Sequence, residues 1–473
     1  MTSVAPTFVP AAVRTDTPVP AVGTLARRDA RTRLLAGLGL WAGLLVVTYW
    51  WVAGGGVQDL AGWASGLTSA GRLTGLLSAD LLLVQVLLMA RVPVLERAFG
   101  QDRLARTHRL VGFTSFTLMA LHIALITWGY AAGKILATPG TLWQLVRDYP
   151  GMMLAAGGTA ALVMVVVTSI KAARSRLRYE SWHLLHLYAY LGVGLALPHQ
   201  LWTGQELLTS AAATAYWWTL WGAAAAAVLV FRLGLPAWRT LRHDLRVASV
   251  VPEAAGVASV YVTGRDLHRL PVVSGQFLTW RFLTGAGWTR AHPYSVSAAP
   301  DGRSLRITVK DLGDGSADVP RIPTGTRVVV EGPYGRLSAR ARVRDGGVVL
   351  VAAGVGITPL RALLEDVDVA PGRAILLYRY TGTPLFAEEI RTLAAERGID
   401  VRWLPGPRGA DGGWLPASAD GYDPVAVLRH WVPDVPDCDI YVCGPDAWAA
   451  DVRRTALAAG TPADQIHVES FGW

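Results

Sequence analysis

Membrane-length apolar segments in the first half of this 473-residue chain constrain its fold more than any other feature. A helix needs roughly 20 apolar residues to cross a bilayer core about 30 Å thick. Six segments approach that length: residues 34–53, 74–92, 109–130, 152–170, 183–199 and 211–233. The fifth is the weakest of the six because it is the shortest and carries three histidines. The sequence therefore predicts an all-α membrane bundle of six helices within residues 31–243.

Basic residues set the expected orientation of this bundle. Arginine and lysine cluster before the first span, in the second and fourth loops, and after the sixth span. Because basic loops face the cytoplasm, both termini are predicted to be cytoplasmic, at the plasma membrane. The net charge of +9 follows from these loops, and no nucleic-acid partner is predicted. Six tryptophans near the predicted outer ends fit an aromatic belt at the lipid interface: Trp50, Trp51, Trp128, Trp202, Trp217 and Trp218.

Two of the predicted spans each carry a pair of histidines. His108 and His122 lie 14 residues apart, and His186 and His199 lie 13 residues apart. At about 1.5 Å per residue, the members of each pair are separated by roughly 20 Å along a helix. Both spans run in the same direction, so each membrane level receives one imidazole from each helix. Two imidazoles suffice for a six-coordinate haem, and two haems stacked across the bilayer are predicted.

The second pair fits this arrangement less well than the first. Fourteen residues return to within about 40° of the starting helix face, whereas thirteen leave about 140°. Pro198, just before His199, can kink the helix and change its phase. His183 is an alternative to His186 as a ligand. The other interpretation is that the four histidines are polar residues packed between helices of a haem-free transporter or anchor.

The cysteines indicate which type of haem the chain could bind, and the first residues indicate how the chain begins. Only Cys438 and Cys443 occur, and no C-x-x-C-H sequence exists to attach haem covalently, so any haem is b-type. Residues 1–30 are rich in proline, alanine and threonine and are predicted to form a disordered tail. The apolar run that follows is longer than the core of a usual signal peptide, which favours an uncleaved first span.

The second half changes to short strands separated by glycine and proline turns. Alternating apolar runs in residues 244–343 predict a small antiparallel β-barrel. It contains the motif Arg290-Ala-His292-Pro293-Tyr294-Ser295-Val-Ser297, with Gly275-Gln276-Phe277 upstream. Downstream, Lys310 precedes Gly313-Asp314-Gly315-Ser316. Glycine turns expose backbone N–H groups to phosphate, and lysine and serine add further donors.

Residues 344–473 have an α/β pattern. A buried strand runs into Gly354-Val-Gly356-Ile-Thr358-Pro359 and then a helix, which lets a dinucleotide pyrophosphate approach the helix N-terminus. Arg379 follows the next strand, where a positive charge can meet a 2′-phosphate and favour NADPH over NADH. An ordinary surface arginine is the alternative. A late strand ends at Cys443-Gly444-Pro445, where the cysteine alternatively is only a buried strand residue.

The order of these motifs along the chain, over roughly residues 30–473, resembles that of the ferric reductase/NADPH oxidase family. The flavin domain of that family in turn resembles ferredoxin–NADP reductases. The resemblance implies that Tyr294 packs on FAD, that Ser295 bonds near its reactive edge, and that His292 and Arg290 face the phosphates. It implies a nicotinamide pocket at the late C-G-P segment and a terminal aromatic residue that covers the flavin. The predicted catalytic residues are Cys443, Glu469 and Trp473. The predicted cofactor-binding residues are Gln276, Arg290, His292, Pro293, Tyr294, Ser295, Ser297, Lys310, Gly315, Ser316, Gly354, Gly356, Thr358, Pro359, Arg379, Gly444, Pro445 and Phe471.

The resemblance also implies the direction of electron flow. NADPH or NADH reduces cytoplasmic FAD, and electrons then pass to the inner haem and the outer haem. The expected acceptor at the outer face is a ferric chelate, with reduction of O2 to superoxide as the alternative. NADPH oxidases tend to place a further histidine at a position that is Ile126 here, which favours the ferric chelate. A membrane-anchored flavin diaphorase without haem is the alternative of another class.

Overall fold

The computed structural model describes residues 23–177, 179–204, 207, 210–284, 290–313, 315–409 and 413–470. The chain divides into two compact units. One unit comprises Thr32–Gly234. The other unit consists of the described residues up to Arg31 together with Leu235–Trp473. The division between membrane half and second half therefore falls at residue 234, nine residues before the predicted boundary at 243.

The unit Thr32–Gly234 is built from helices. They are α1 (Thr24–Ala53), α2 (Trp63–Met89), α3 (Pro93–Phe99), α4 (Gln101–Tyr130), α5 (Thr138–Asp148), α6 (Met152–Ser169), α7 (Lys171–Arg174), α8 (Tyr179–Trp202) and α9 (Ala211–Ala227). A π-helical turn, Val228–Gly234, continues α9 into α10 (Leu235–His243). Because α1 begins at Thr24, residues 24–30 of the predicted disordered tail are helical. Residues 1–22 lie outside the described residues.

Five helical stretches in the described part of the chain are long and apolar enough to cross a membrane. They are α1, α2, α4, α6 and the continuous stretch Ala211–His243. The fifth predicted span forms the 24-residue helix α8 but is not one of these five. The helical membrane half is thus present, whereas the count of six apolar spans is not confirmed.

Small residues allow these helices to approach one another closely. A Cβ atom on Gly158 of α6 would lie 2.7 Å from the Gly192 carbonyl oxygen of α8. A Cβ atom on Gly71 of α2 would lie 2.9 Å from the Ile126 side chain of α4. Membrane helices associate through such close backbone contacts, because lipid provides no hydrophobic force between them. These contacts set α4 beside α2 and α8 beside α6.

Two antiparallel sheets follow the helices. Their strands are β1 (Arg246–Ala254), β2 (Val257–Thr263), β3 (Phe277–Phe282), β4 (His292–Ser295), β5 (Ser304–Lys310) and β6 (Val328–Tyr334), in the orders β1-β2-β5 and β4-β3-β6. An isolated bridge between Val296 and Ile307 connects the two sheets. Leu278, Trp280 and Ile307 are fully buried in their common core. The predicted antiparallel domain is present, and its closure into a barrel stays a prediction.

A five-stranded parallel sheet forms the remainder. Its strands are β7 (Val348–Ala353), β8 (Ala374–Tyr380), β9 (Asp400–Pro405), β10 (Asp439–Gly444) and β11 (Ile466–Ser470), in the order β11-β10-β7-β8-β9. Its helices are α11 (Ile357–Asp366), α12 (Ala387–Arg397), α13 (Pro424–Trp431) and α14 (Asp446–Ala458). Every residue of β7 and β10 is buried, as expected for central parallel strands. The chain order reverses between these two strands, and ligands bind beyond the carboxyl ends of strands at such a switch point.

Candidate functional site

His108 on α4 and His186 on α8 lie next to each other in the membrane unit, with their rings in an edge-on arrangement. Their ring centroids are 6.1 Å apart, and the ring planes are inclined by 65°. Metal–imidazole bonds of about 2 Å place the centres of two opposite axial rings roughly 6 Å apart. The structure therefore brings this predicted pair to a separation that fits a single metal ion between the rings.

The protein also holds the Nδ1 atoms of both rings. Nδ1 of His108 lies 3.3 Å from the Gln85 carbonyl oxygen, and Nδ1 of His186 lies 3.3 Å from the Ser169 hydroxyl. The Trp182 indole donates to the same hydroxyl, and its ring centroid is 5.0 Å from that of His186. Because a carbonyl oxygen only accepts, Nδ1 of His108 carries the proton of that bond. A metal-binding histidine typically donates its other N–H in this way, which leaves Nε2 for the metal.

His122, also on α4, has the same kind of anchor. Its Nδ1 atom lies 2.8 Å from the Gly71 carbonyl oxygen of α2. The ring packs on Gly75, where a Cβ atom would lie 2.4 Å from Nδ1. Residue 75 must therefore be glycine for the imidazole to keep this position. Nε2 of His122 remains available to a ligand, as in the inner pair.

His199 lies near the end of α8, within electrostatic range of His122. Its Nδ1 atom is buried near the Ala196 carbonyl, but no described residue forms a hydrogen bond of good geometry with it. A Cβ atom on Gly151 would lie 2.7 Å from the backbone nitrogen of His199. His122 and His199 therefore also lie on α4 and α8, the two helices that carry His108 and His186.

The structure favours His186 over His183 for the inner position. The ring contact with His108 is made by His186, while His183 interacts with His186 electrostatically from one turn earlier. Within the described ranges, no group of three or more His, Cys, Asp or Glu side chains is arranged to hold a metal ion. A haem requires only two axial side chains, so the histidine pairs fit a haem.

Tyr294 of β4 carries a buried polar atom that fits a bound flavin. Its phenol oxygen is buried, and no described residue hydrogen-bonds to it. Burial raises the pKa of this phenol, which therefore stays protonated. The Tyr294 ring stacks on His292 at 5.9 Å, and its carbonyl accepts a 2.9 Å bond from the Trp280 indole. A buried hydroxyl without a partner costs free energy, so this position suits a ligand that offers an acceptor.

Arg290, His292 and Gly315 converge on one small region. Gly315 has a φ of +91°, which favours glycine. A Cβ atom there would lie 3.1 Å from Nε2 of His292 and 3.4 Å from Nη1 of Arg290. A guanidinium, an imidazole and a glycine backbone N–H together suit an anion such as a pyrophosphate.

Two residues predicted for the same phosphates have other surroundings. The Ser316 hydroxyl accepts from the Leu312 N–H at 2.8 Å and donates to the Gly313 carbonyl at 2.5 Å, so it shapes its own turn. Lys310 is exposed at the end of β5. Asp314, between the two glycines of this turn, lies outside the described residues.

The side chains of Ser297 and Gln276 form hydrogen bonds within the protein and do not line an open cleft. The Ser297 hydroxyl is fully buried and accepts from Arg306 at 3.2 Å and from Thr308 at 2.8 Å. The Gln276 amide accepts from the Val273 N–H at 3.1 Å and faces the carbonyl that follows β6. Both side chains therefore support the strand expected to carry the flavin, and their direct contact with the cofactor stays a prediction. Pro293 and the buried Ser295 lie within β4 itself.

The predicted dinucleotide turn lies at the switch point between β7 and β10. A Cβ atom on Gly356 would lie 2.2 Å from the Cys443 carbonyl oxygen, so residue 356 must be glycine. The Thr358 hydroxyl donates to the Val355 carbonyl at 2.9 Å and fixes the turn, and Pro359 is buried in the first turn of α11. The N-terminus of α11 thus follows a tight glycine turn, as phosphate binding requires.

Cys443 and Glu469 are neighbours across β10 and β11. Burial, with a smaller contribution from the Glu469 charge, raises the pKa of the Cys443 thiol well above its ordinary value. Cys443 is therefore a neutral thiol and not a thiolate nucleophile. Glu469 also lies against β6, because a Cβ atom on Gly335 would be 2.9 Å from its Oε2 atom. Phe471 and Trp473, predicted to cover the flavin, lie outside the described residues.

Arg379 at the end of β8 is half-buried. Its Nη1 atom donates to the Gly406 carbonyl at 3.4 Å, and its guanidinium lies 5.9 Å from the Trp448 ring centroid. Burial and the positive charge of Arg408 lower its pKa. No described residue pairs with its buried Nε atom. A half-buried cation with an unused donor suits an anionic group of a ligand.

Several supporting residues were not singled out in the sequence. Gly71 and Gly75, four residues apart on α2, place its backbone against His122. A small-x-x-x-small spacing in an apolar segment indicates such helix packing, so this signal was present. Ser169 and Trp182, which hold His186, carry no comparable signal because their roles depend on how α6 and α8 meet.

Comparison with known protein families gives one match in each half. Residues 74–197 match the ferric reductase like transmembrane component, and residues 350–454 match the oxidoreductase NAD-binding domain. The first match contains His108, His122 and His186 and ends two residues before His199. Both halves of the fusion predicted from the sequence are therefore confirmed.

Individual proteins match over about half of the chain. It is 30% identical to a flavohemoprotein of Chromobacterium violaceum, over 50% of this chain and 62% of that protein. It is 32% identical to the ferredoxin reductase component of 3-ketosteroid-9-alpha-monooxygenase from Mycolicibacterium smegmatis, over 48% of this chain and 65% of that protein. The chain thus spans less than two thirds of either relative. The flavohem-like FAD/NAD-binding domain of nitric oxide dioxygenase from Vibrio cholerae is a similar solved structure, with 25% identity, a TM-score of 0.37, and coverage of 49% of this chain and 99% of that one.

Proposed function

We propose that this chain, which joins a ferric reductase-like transmembrane component to an oxidoreductase NAD-binding domain, is an NAD(P)H-dependent enzyme that carries electrons across the plasma membrane. The observation that carries the proposal is the His108–His186 pair, with 6.1 Å between ring centroids and both Nδ1 atoms held by α2 and α6. Electrons enter at the cytoplasmic nucleotide lobe and leave at the outer face.

Four histidines would hold two b-type haems at two depths. His108 and His186 would be the axial ligands of the inner haem, and His122 and His199 those of the outer one. When bound, FAD takes a hydride from NAD(P)H and the haems carry single electrons onward. The protein's part is to fix each Nδ1 atom, so that Nε2 points to the metal and the ring does not rotate.

In the second half of the chain, one set of residues would bind FAD and another would bind the nucleotide. Tyr294 would donate its buried phenol proton to FAD, while Arg290, His292 and the Gly315 backbone would face the pyrophosphate. The Gly354–Gly356 turn would admit the nucleotide pyrophosphate to the N-terminus of α11. Arg379 would bind a 2′-phosphate, which makes NADPH the expected donor.

A ferric chelate is the proposed outer acceptor. Ile126, one turn beyond His122, packs on Gly71 with an apolar side chain at the position where NADPH oxidases tend to have a histidine. At this position Ile126 offers no charged or hydrogen-bonding group that could hold O2 or stabilise the negative charge of superoxide. Superoxide formation therefore ranks second.

A spectrum of the purified full-length chain tests this proposal. Reduced-minus-oxidised difference spectra should show low-spin b-haem at about two per chain, with FAD in addition. NADPH added without oxygen should reduce the flavin and then the haems, and a ferric chelate should reoxidise them. A preparation coloured by flavin alone would refute the haem pathway and leave a membrane-anchored diaphorase. Superoxide formation at a rate unaffected by the chelate would make oxygen the acceptor.

A further inference from the structure

Two buried arginines connect the flavin-binding sheet to the nucleotide lobe. Arg306 of β5 and Arg361 of α11 are 4% and 0% exposed. Both nitrogens at the end of the Arg306 guanidinium bind Glu389 of α12, at 2.9 and 3.0 Å. Arg361 reaches the same carboxylate at 2.7 Å, and Glu365 on its own helix at 2.7 Å. These four residues form a charge-balanced cluster, here called the arginine clamp.

The clamp holds the chain directly after the strand that carries Tyr294. Arg306 donates to the Ser297 carbonyl at 2.7 Å and to the Ser297 hydroxyl at 3.2 Å. Arg361 donates to the same carbonyl at 3.3 Å, and the Ala299 N–H donates to Glu365 at 2.5 Å. Both arginines and one carboxylate therefore fix the backbone at the end of the flavin strand.

The other side of the clamp belongs to the nucleotide lobe. Arg361 lies one turn into α11, the helix that begins after the Gly354–Gly356 turn. Glu389 lies in the first turn of α12 in the same lobe. One ionic cluster thus joins the strand expected to carry the flavin to the helix expected to receive the nucleotide pyrophosphate.

Electrostatics keep Glu389 and Arg306 of the clamp ionised, although Arg306 is buried and Glu389 is partly buried. Burial acts to raise the pKa of Glu389, but hydrogen bonds from Arg306 and the charges of both arginines hold it below its ordinary value. Burial likewise acts to lower the pKa of Arg306, and the bond to Glu389 raises it overall. Bidentate arginine–carboxylate pairs impose direction as well as attraction, so the clamp resists sliding of one lobe on the other.

We propose that Glu389, with Arg306 and Arg361, is a positioning residue for hydride transfer that sets the distance between the nicotinamide and flavin rings. This inference rests on the proposed NAD(P)H-to-FAD reaction. In that step a C–H bond of the dihydronicotinamide would break, and the hydride with its two electrons would form a new bond to the flavin, which leaves oxidised nicotinamide and reduced flavin. Misplacement by about 1 Å can slow such a reaction by about 100-fold, so a small relaxation of the clamp is sufficient.

Two substitutions of Glu389 distinguish the effect of its charge from the effect of the position of its carboxylate. Glu389→Gln removes the charge and keeps the length of the side chain. Glu389→Asp keeps the charge and withdraws the carboxylate by one methylene, about 1.5 Å. Glu388→Gln is the matched control, because Glu388 is the neighbouring carboxylate on α12, is 88% exposed and pairs only at the surface with Arg391.

The measurement is anaerobic stopped-flow reduction of FAD by NADPH in the full-length chain. It is accompanied by FAD content, the KM for NADPH and the temperature of FAD release. We expect Glu389→Asp to retain FAD and its release temperature while the limiting rate of flavin reduction falls about tenfold or more. Glu389→Gln should lose rate to at least the same extent, Glu388→Gln should match the wild type, and KM should change less than the limiting rate.

Two results would overturn the inference, and they differ from each other. If both Glu389 variants reduce FAD at the wild-type rate, or lose rate only in proportion to lost FAD, the clamp is a structural support alone. If the wild-type chain retains FAD but NADPH does not reduce it, the proposed function fails and this inference fails with it. Haem content does not enter the measurement, so failure of the haem pathway is distinguishable from both.

Discussion

The imidazole rings of His108 and His186 lie 6.1 Å apart between centroids, although 78 residues separate them in the chain. This separation depends on two neighbouring helices as well as on the two helices that carry the rings. Gln85 of α2 holds one ring, and Ser169 of α6 holds the other. The neighbouring helices therefore fix the orientation of both rings, as the proposed haem site requires.

The first prediction concerns which histidine of α8 serves the inner site. His186→Ala should remove one of two haems, because it deletes a ring in contact with His108. His183→Ala is the matched control and should keep both, since His183 lies one turn away from that contact. Haem per chain, measured as the pyridine haemochrome, should fall from about two to about one only in the first variant. If His183→Ala lost a haem and His186→Ala kept both haems, His183 would be the ligand of the inner haem and His186 would not.

Gly75 provides a second prediction, for the outer site. An alanine Cβ there would lie 2.4 Å from Nδ1 of His122, so Gly75→Ala must displace the imidazole and should weaken outer haem binding. Gly37→Ala on α1 is the control, because no atom lies within 4 Å of the position its Cβ would take. Haem content and the two midpoint potentials of the purified variants would be compared. An unchanged outer potential in Gly75→Ala would show that His122 is not the ligand.

Much of the site could be predicted because its chemistry follows motifs that lie close together in the chain. The glycine turn at Gly354–Gly356 is local, and the structure places it beside Cys443 at the reversal of strand order. The histidine pairs were predictable for a similar reason, since helical rise converts residue spacing into depth. Both inferences need only regular geometry.

Contacts between distant segments could not be predicted in this way. Ser297 belongs to the flavin motif, yet its hydroxyl binds Arg306 and Thr308 in the interior. Trp51 and Trp217 were assigned to an aromatic belt, but they are 7% and 2% exposed, and the Trp51 indole donates to the Ser69 carbonyl. Sequence periodicity gives a face of a helix or strand, but not what will pack on that face.

Nucleotide preference gives a third prediction, at Arg379. Hydrogen bonds to charged groups contribute about 1.5–3 kcal/mol, so Arg379→Ala should raise the KM for NADPH by roughly 10- to 100-fold. The KM for NADH should change little, because NADH lacks the 2′-phosphate. Arg402→Ala on the adjacent strand β9 is the control, since Arg402 is half exposed and pairs with Asp400 at the surface. Equal losses with both nucleotides would mean that Arg379 supports the fold and does not read the phosphate.

The last prediction is the pH dependence of the arginine clamp. The pKa of Glu389 in the folded chain is below its ordinary value of 4.5, because the bonds and charges of Arg306 and Arg361 outweigh burial. A carboxylate whose pKa is lowered by folding stabilises the protein above its unfolded pKa, and this stabilisation is lost as the pH falls through the folded pKa. The wild type should therefore exceed Glu389→Gln in the temperature of FAD release at pH 7. The gap should narrow below about pH 4.5, where the unfolded carboxylate begins to take up a proton. The Glu388→Gln variant should follow the wild type throughout, and a gap that widens in acid would contradict the assigned ionisation of Glu389.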